Sequence, residues 1–181
     1  MLRIIAGEFR HRRIQAPDVG TTRPTTDKVR EALMSALGES IPGSNVLDLF
    51  AGSGALGLEA LSRGARRVVF CDHNGIALKT IRRNIETLDV KDRTEVVGGH
   101  YAFALKKLRE EGEKFDLIFL DPPYAQKEIY RQVCDLLFES DLMSDRAVVV
   151  KEWNREIEED DRFSAHRAYQ YGTVRILIER R

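Results

Sequence analysis

Cysteine is scarce in this 181-residue sequence: Cys71 and Cys134 are the two, far apart and at no metal-ligand spacing. That excludes a disulfide framework and a cysteine-built metal centre, and it points to reduced thiols in a cytoplasmic protein. Net charge is missing as well, with 29 basic residues against 29 acidic ones. A protein that binds polyanions by bulk charge is thereby excluded, but a local basic patch is not. No stretch approaches about 18 consecutive apolar residues, so no membrane span is expected. Residues 1–13 hold no long apolar run before a small-residue cleavage site, so no secretory signal is expected. His11, His73, His100 and His166 are scattered, and no metal site is expected. Repeats and low-complexity tracts are absent too. What remains is a globular composition, 43% hydrophobic and 32% charged. The length fits one domain over 1–181, with 1–26 as a hairpin extension.

The zero net charge hides an asymmetry. Residues 1–30 hold seven basic residues against three acidic ones, a net of +4, which leaves −4 for the rest. Arg10, Arg12, Arg13, Arg23, Lys28 and Arg30 are the candidate nucleic-acid-docking residues, since a basic arm on an acidic body is a footprint of nucleic-acid binding. Arg10, Arg12 and Arg13 are expected to project together beside the carboxyl edge of a sheet. Glu156–Asp161 supplies five acids in six positions and reads as a solvated loop.

Two short strands, 2–6 and 13–16, open the chain as a hairpin. A helix follows, capped by Thr25, Thr26 or Asp27, with Val29, Ala32, Leu33, Ala36 and Leu37 on one face. Then strands and helices alternate: strand 46–50, helix 55–62, strand 67–71, helix 76–88, strand 94–97, helix 101–111, strand 115–120, helix 129–138 and strand 147–153. Segments 163–170 and 173–179 pair as a closing antiparallel hairpin. This order predicts an α/β fold with a mostly parallel sheet covered on both faces. Ligands in such sheets sit at the carboxyl ends of strands near the topological switch point.

Residues 52–57 contain G-x-G-x-x-G between a predicted strand and a predicted helix, the context this motif needs. Gly52, Ser53 and Gly54 let backbone approach a ligand closely. Asp72 ends the next strand, 20 positions after Gly52, where its carboxylate can accept two ribose hydroxyls. The combination predicts an adenosine-containing cofactor. Asp48, inside the strand before the loop, favours S-adenosylmethionine over NAD: a carboxylate there suits an ammonium group and repels a pyrophosphate.

Asp121-Pro122-Pro123-Tyr124 follows the apolar run 115–120. Proline fixes φ and has no N–H, so the segment is stiff and its carbonyls stay available as acceptors. Asp121 and the Pro122 carbonyl suit the two hydrogens of an exocyclic amine, and Tyr124 suits stacking on the ring that carries it. An ordinary strand-ending turn uses the same residue types. Trp153, Tyr169 and Tyr171 read as core or sheet-edge residues, with the base pocket as the alternative.

The pattern D-x-F-x-G-x-G, an acid ending the next strand, and D-P-P-Y resembles the class I methyltransferases that modify exocyclic amines. The opening, Arg3 to Arg10, with Arg23-Pro24-Thr25 and Val29 to Leu33, resembles the RsmD family, the 16S rRNA (guanine(966)-N(2))-methyltransferases of bacteria. The resemblance covers nearly the whole chain. It implies a Rossmann-like class I methyltransferase fold, a seven-stranded sheet with an antiparallel last strand. It implies methyl transfer from S-adenosylmethionine to a guanine N2 in 16S rRNA, within an assembling or assembled 30S particle. Asp121, Pro122 and Tyr124 are then the catalytic set; Asp48, Gly52, Ser53, Gly54 and Asp72 bind the cofactor, with His73 on the adenine side. One segment departs from the family pattern: Gly98-Gly99-His100-Tyr101 stands where an Asp or Asn contacts the adenine amine, so His100 or a backbone group is expected to replace it. Three other readings stay open. D-P-P-Y also suits an N6-adenine methyltransferase, although 181 residues leave no separate target-recognition domain. An NAD-dependent reductase shares the glycine loop but lacks its Tyr-x-x-x-Lys. A catalytically dead RNA-binding module has no use for the intact motifs.

Overall fold

Apolar strands alternating with amphipathic helices build one seven-stranded sheet. The structure, a computed structural model, describes residues 1–18, 26–122, 128–153 and 158–181, without the Trp153 side chain. A two-stranded hairpin, β1 (Leu2–Arg3) and β2 (Arg13–Ile14), precedes α1 (Asp27–Leu37). The sheet strands are β3 (Asn45–Asp48), β4 (Arg67–Asp72), β5 (Thr94–Gly98), β6 (Phe115–Leu120), β7 (Met143–Trp153), β8 (Ala165–Tyr171) and β9 (Val174–Arg180). Between them run α2 (Ala55–Ser62), α3 (Gly75–Leu88), α4 (Tyr101–Glu110) and α5 (Glu128–Glu139).

The sheet order is β5-β4-β3-β6-β7-β9-β8. Strands β5 to β7 are parallel, and β9 is antiparallel to both β7 and β8. The chain winds outward from β3 through β4 to β5, then crosses back to β6. The switch point therefore falls between β3 and β6, where a crevice opens at the carboxyl ends. The expected fold class, seven strands with an antiparallel last strand, is what the chain adopts.

The inner parallel strands carry apolar residues on both faces, because helices cover both. Val46, Phe70, Phe119 and Val150 pack with Leu33, Leu58 and Ile81 on the face under α1, α2 and α3. Leu47, Val69, Ile118 and Val149 pack with Leu105, Leu108, Val133 and Leu137 under α4 and α5. Thr26 caps α1, its hydroxyl accepting from the Val29 N–H, and Asn74 caps α3. Cys71 and Cys134 are free and buried, and burial pushes the Cys134 thiol up to about 11.

The hairpin strands are shorter than the expected 2–6 and 13–16. Ile4 still donates to the Arg12 carbonyl and accepts the His11 N–H; past it, Glu59 of α2 takes the Ile5 and Ala6 N–H groups, at 2.8 and 3.0 Å. Glu59 is fully buried and also receives Arg63 at 2.9 Å, with Arg30 Nε at 3.7 Å. Strand β7 begins four residues before the expected Ala147. Phe115 pairs with Met143, then a bulge shifts the register to Leu117 opposite Val148. The polar stretch Ser144 to Arg146 hides this from hydropathy alone. The acidic run is only partly solvated: Asp160 holds Arg162 through both carboxylate oxygens, and its own N–H donates to Glu179 at 2.8 Å.

Candidate active site

The first half of the site is the turn from β3 into α2. Gly52 and Gly54 both have positive φ, 55° and 76°. A Cβ on Gly52 would meet nothing within 4 Å, so the loop there faces open space that a ligand can enter. Gly57 serves packing instead: a Cβ would lie 2.4 Å from the Phe70 ring, so α2 can approach β4 only with glycine at this position. The loop is fastened from below by Asn84 of α3, whose amide donates to the Ser53 carbonyl at 2.9 Å and to the Gln15 carbonyl at 2.9 Å.

Asp72 ends β4 beside this loop. Its Oδ2 accepts the Gly52 N–H at 2.9 Å and its Oδ1 accepts the Asn74 N–H at 2.8 Å. Each carboxylate oxygen keeps a second acceptor site, and the side chain is 11% exposed. The carboxylate is thus oriented by backbone and can still accept two hydroxyls. Asp48 is buried in β3, and its Oδ2 accepts the Gly57 N–H at 3.0 Å. Burial pushes its carboxyl up to about 7; the Gly57 hydrogen bond opposes this, and the Asp72 charge adds to it. Such a group changes protonation near neutrality, and a cation beside it favours the anion.

Two histidines flank the cleft. His73 is exposed, with Nδ1 3.9 Å from Asp72. His100 caps α4, its Nδ1 accepting the Ala102 N–H at 3.4 Å, and its ring lies 4.2 Å from that of Tyr101. Sequence reasoning missed two neighbours. Ile76 and Phe103 are exposed large hydrophobics, at 49% and 59%, on the first turns of α3 and α4. They rim the carboxyl ends of β4 and β5, where a flat ring held by Asp72's partner sugar would lie. Apolar residues in the first turn after a strand's carboxyl end were the available signal.

The second half of the site is the end of β6. Asp121 is half-buried and Pro122 buried at the carboxyl edge. Burial pushes the Asp121 carboxyl well up, and the charges of Glu152 and Asp48 push the same way. Pro123 and Tyr124 lie outside the described residues. Glycine loop and Asp121 meet because β3 and β6 are adjacent, with Asp48 opposite Phe119. Tyr169 and Tyr171 lie on the edge strand β8, half-buried and stacked at 6.3 Å between ring centroids.

The basic candidates are less unified than their sequence positions suggest. Arg10, Arg12, Arg13 and Lys28 are exposed, and Arg23 lies outside the described residues. Arg30 corrects its assignment to a docking surface: it is 1% exposed, donating to the Arg3 carbonyl at 2.6 Å and to Asp27 at 3.0 Å. A guanidinium so enclosed serves the fold. The placement beside the carboxyl edge is also corrected for Arg12. Arg12 donates to the Thr87 carbonyl near the end of α3, and Glu8 pairs with Arg93 just before β5. That is the amino edge of the sheet, because α3 runs back from the carboxyl end of β4. Lys28, in the first turn of α1, lies nearer the carboxyl ends, since α1 leads down to the start of β3.

The strand order, the glycine turn after β3, the acid ending β4 and the Asp-Pro turn after β6 define the class I methyltransferase fold. The chain belongs to the family described as Conserved hypothetical protein 95, whose model matches residues 2–180. Among its relatives, YlbH of Bacillus subtilis is 36% identical over 87% of this chain and 85% of its own length. Ribosomal RNA small subunit methyltransferase D of Escherichia coli is 34% identical over 83% of this chain and 74% of its own. The solved structure of yhhF from Escherichia coli superposes with a TM-score of 0.85 at 33% identity, covering 99% of this chain and 97% of that one.

Proposed function

We propose that this protein is an S-adenosylmethionine-dependent methyltransferase of small-subunit rRNA, acting on the exocyclic N2 amine of a guanine. The observation that carries the reading is the juxtaposition of the Gly52 loop and Asp72 with Asp121-Pro122 across adjacent strands. The names of its relatives support the substrate class. Bound against the loop, S-adenosylmethionine supplies an electrophilic methyl group on a sulfonium.

The residues divide the work. Asp72 holds the ribose hydroxyls, Ile76 and Phe103 give the adenine apolar contact beside His73 and His100, and anionic Asp48 faces the cationic end. Asp121 and the Pro122 carbonyl accept from the two hydrogens of the target amine, and Tyr124 stacks on its ring. A guanine N2 lone pair is delocalised into the ring, so hydrogen bonds that favour a tetrahedral nitrogen raise its reactivity. The N2–CH3 bond forms as the S–CH3 bond breaks, and the surplus proton leaves N2 for water. In-line placement supplies much of the acceleration, and the base leaves its stack to enter. The test is transfer of tritiated methyl into rRNA, 30S particles and DNA, with the modified nucleoside identified. N2-methylguanosine from rRNA or 30S is expected; N6-methyladenosine overturns the reading.

Asp72→Ala should weaken cofactor binding by roughly 10²- to 10⁴-fold, because two hydrogen bonds to a charged acceptor are lost. Calorimetry that finds unchanged affinity removes Asp72 from the cofactor site.

RNA docking falls to Arg10, Arg12, Arg13, Lys28 and Arg23. Twelve residues of α3 separate its start near Asp72 from Thr87, roughly 18 Å at helical rise. Arg12, held at that end of α3, is therefore remote from the reacting amine. Replacing Arg10, Arg12 and Arg13 by Ala should flatten the log–log salt dependence of RNA affinity by about 2–3. KM should rise and kcat should not change. Equal salt slopes in mutant and wild type would remove the docking assignment.

A further inference from the structure

Asp121 has a neighbour that local sequence reasoning passes over. Strands β6 and β7 pair in parallel with Leu120 opposite Lys151, so the next residues, Asp121 and Glu152, stand side by side. Side chains alternate along a strand. Phe119 and Val150 belong to the core under α1 to α3, so Asp121 and Glu152 share that face. Asp48 shares it too, opposite Phe119. Glu152 is 4% exposed, and its other strand neighbour is Ile176, with Tyr169 beyond. Its backbone is held from the opposite face by the Tyr130 hydroxyl, which donates to the Glu152 carbonyl. Two carboxylates side by side at this end of the sheet suit a ligand that presents a set of donors. The mutual repulsion is felt by Asp121, whose carboxyl is pushed up partly by Glu152.

Guanine carries such a set. Its N1–H stands next to the two hydrogens of N2, giving three donors in a row. An ionised carboxylate is acceptor-only. Adenine differs at this point, because its N1 is an acceptor beside the N6 amine. We infer that Glu152 is a specificity-determining residue of this site, its carboxylate accepting the N1–H of the target guanine while Asp121 and the Pro122 carbonyl hold the N2 amine. The inference rests on the guanine-N2 reading above. It explains how an Asp-Pro-Pro-Tyr site, whose chemistry suits any exocyclic amine, rejects adenine: Glu152 would meet adenine N1 acceptor to acceptor.

The test uses the full chain and rRNA fragments with guanine or 2-aminopurine at the target position. 2-Aminopurine keeps the N2 amine and lacks the N1 hydrogen. Wild-type kcat/KM should fall by roughly 10- to 100-fold on 2-aminopurine, the loss expected for one hydrogen bond to a charged group. Glu152→Gln can donate its amide to the bare N1, so the gap should shrink tenfold or more. Glu152→Ala should bring the two substrates within a few-fold of each other. RNA affinity measured with S-adenosylhomocysteine present should show the same pattern without turnover. Melting curves check the fold, and the isosteric Gln variant decides the matter alone if the Ala variant does not fold. A Gln variant whose guanine to 2-aminopurine ratio equals wild type in both readouts overturns the inference, as does an equal loss on both RNAs. A wild-type protein that methylates rRNA elsewhere than guanine N2 removes the underlying reading and the inference with it.

Discussion

Asp121→Ala should lower kcat by roughly 10²- to 10⁴-fold, the range in which misplacement of a reacting group and loss of a positioned acid–base residue both fall. Cofactor affinity should stay within about twofold, since Asp72 and the glycine loop are untouched. The reason is local: the carboxylate stands at the end of β6, on the strand adjacent to the one that feeds the glycine loop. The pH dependence carries a further expectation. The ionised Asp121 carboxylate is the stronger acceptor for the amine, and burial, Glu152 and Asp48 all push its carboxyl up. Turnover should therefore fall on acidification at a higher pH than an ordinary carboxylate would set, and it should recover as pH rises. Asp121→Asn retains an acceptor oxygen and loses the titration, so its residual activity should be flat through that limb. Near-normal turnover by the Ala variant would exclude Asp121 from the target-amine site.

Glu59→Ala should destabilise the fold by about 3–5 kcal/mol, the cost of removing one partner from a buried ion pair. Glu59 is fully buried and meets two backbone N–H groups and two arginines. Its loss leaves the Arg30 guanidinium, 1% exposed, without its buried countercharge. Against a typical domain stability of about 5–15 kcal/mol this is a large fraction. Urea unfolding should show a lower midpoint. Pairing it with Arg30→Met should recover part of the loss, because both charges are then absent. A single-mutant loss below about 1 kcal/mol would mean that the N-terminal segment is held elsewhere. The prediction links fold to function, since the segment fastened by Glu59 also carries Arg10, Arg12 and Arg13.

Much of this site is written in short stretches of sequence. The turn Gly52 to Gly57, Asp72 as the end of a strand, and Asp121-Pro122 as the next strand's exit each depend on neighbours within a few residues. Backbone conformation and strand ends are local properties, so such segments can be read in isolation. The helix starts behave likewise, with Thr26 among the expected caps of α1. Glu59 had a faint local signal: an acid amid Leu56, Leu58, Ala60 and Leu61 demands buried partners. Its partners, however, lie about fifty residues away, in Ile5 and Ala6.

The sequence by itself determined the α/β class, the order of the elements along the chain, the glycine loop with an acid ending the strand after it, and the Asp-Pro exit of β6. Hydrophobic periodicity and turn chemistry act over a few residues and leave a trace in the linear text. The tertiary structure alone decided which strands are neighbours. It thereby set Glu152 beside Asp121 and joined Asn84 to both Gln15 and Ser53. It also turned Arg30 inward and carried Arg12 to the amino edge, away from the chemistry. These outcomes depend on sheet register and on polar groups meeting partners roughly 30 to 75 residues away through sheet crossover and helix return. No window of sequence contains both members of such a pair, so only the folded chain brings them together.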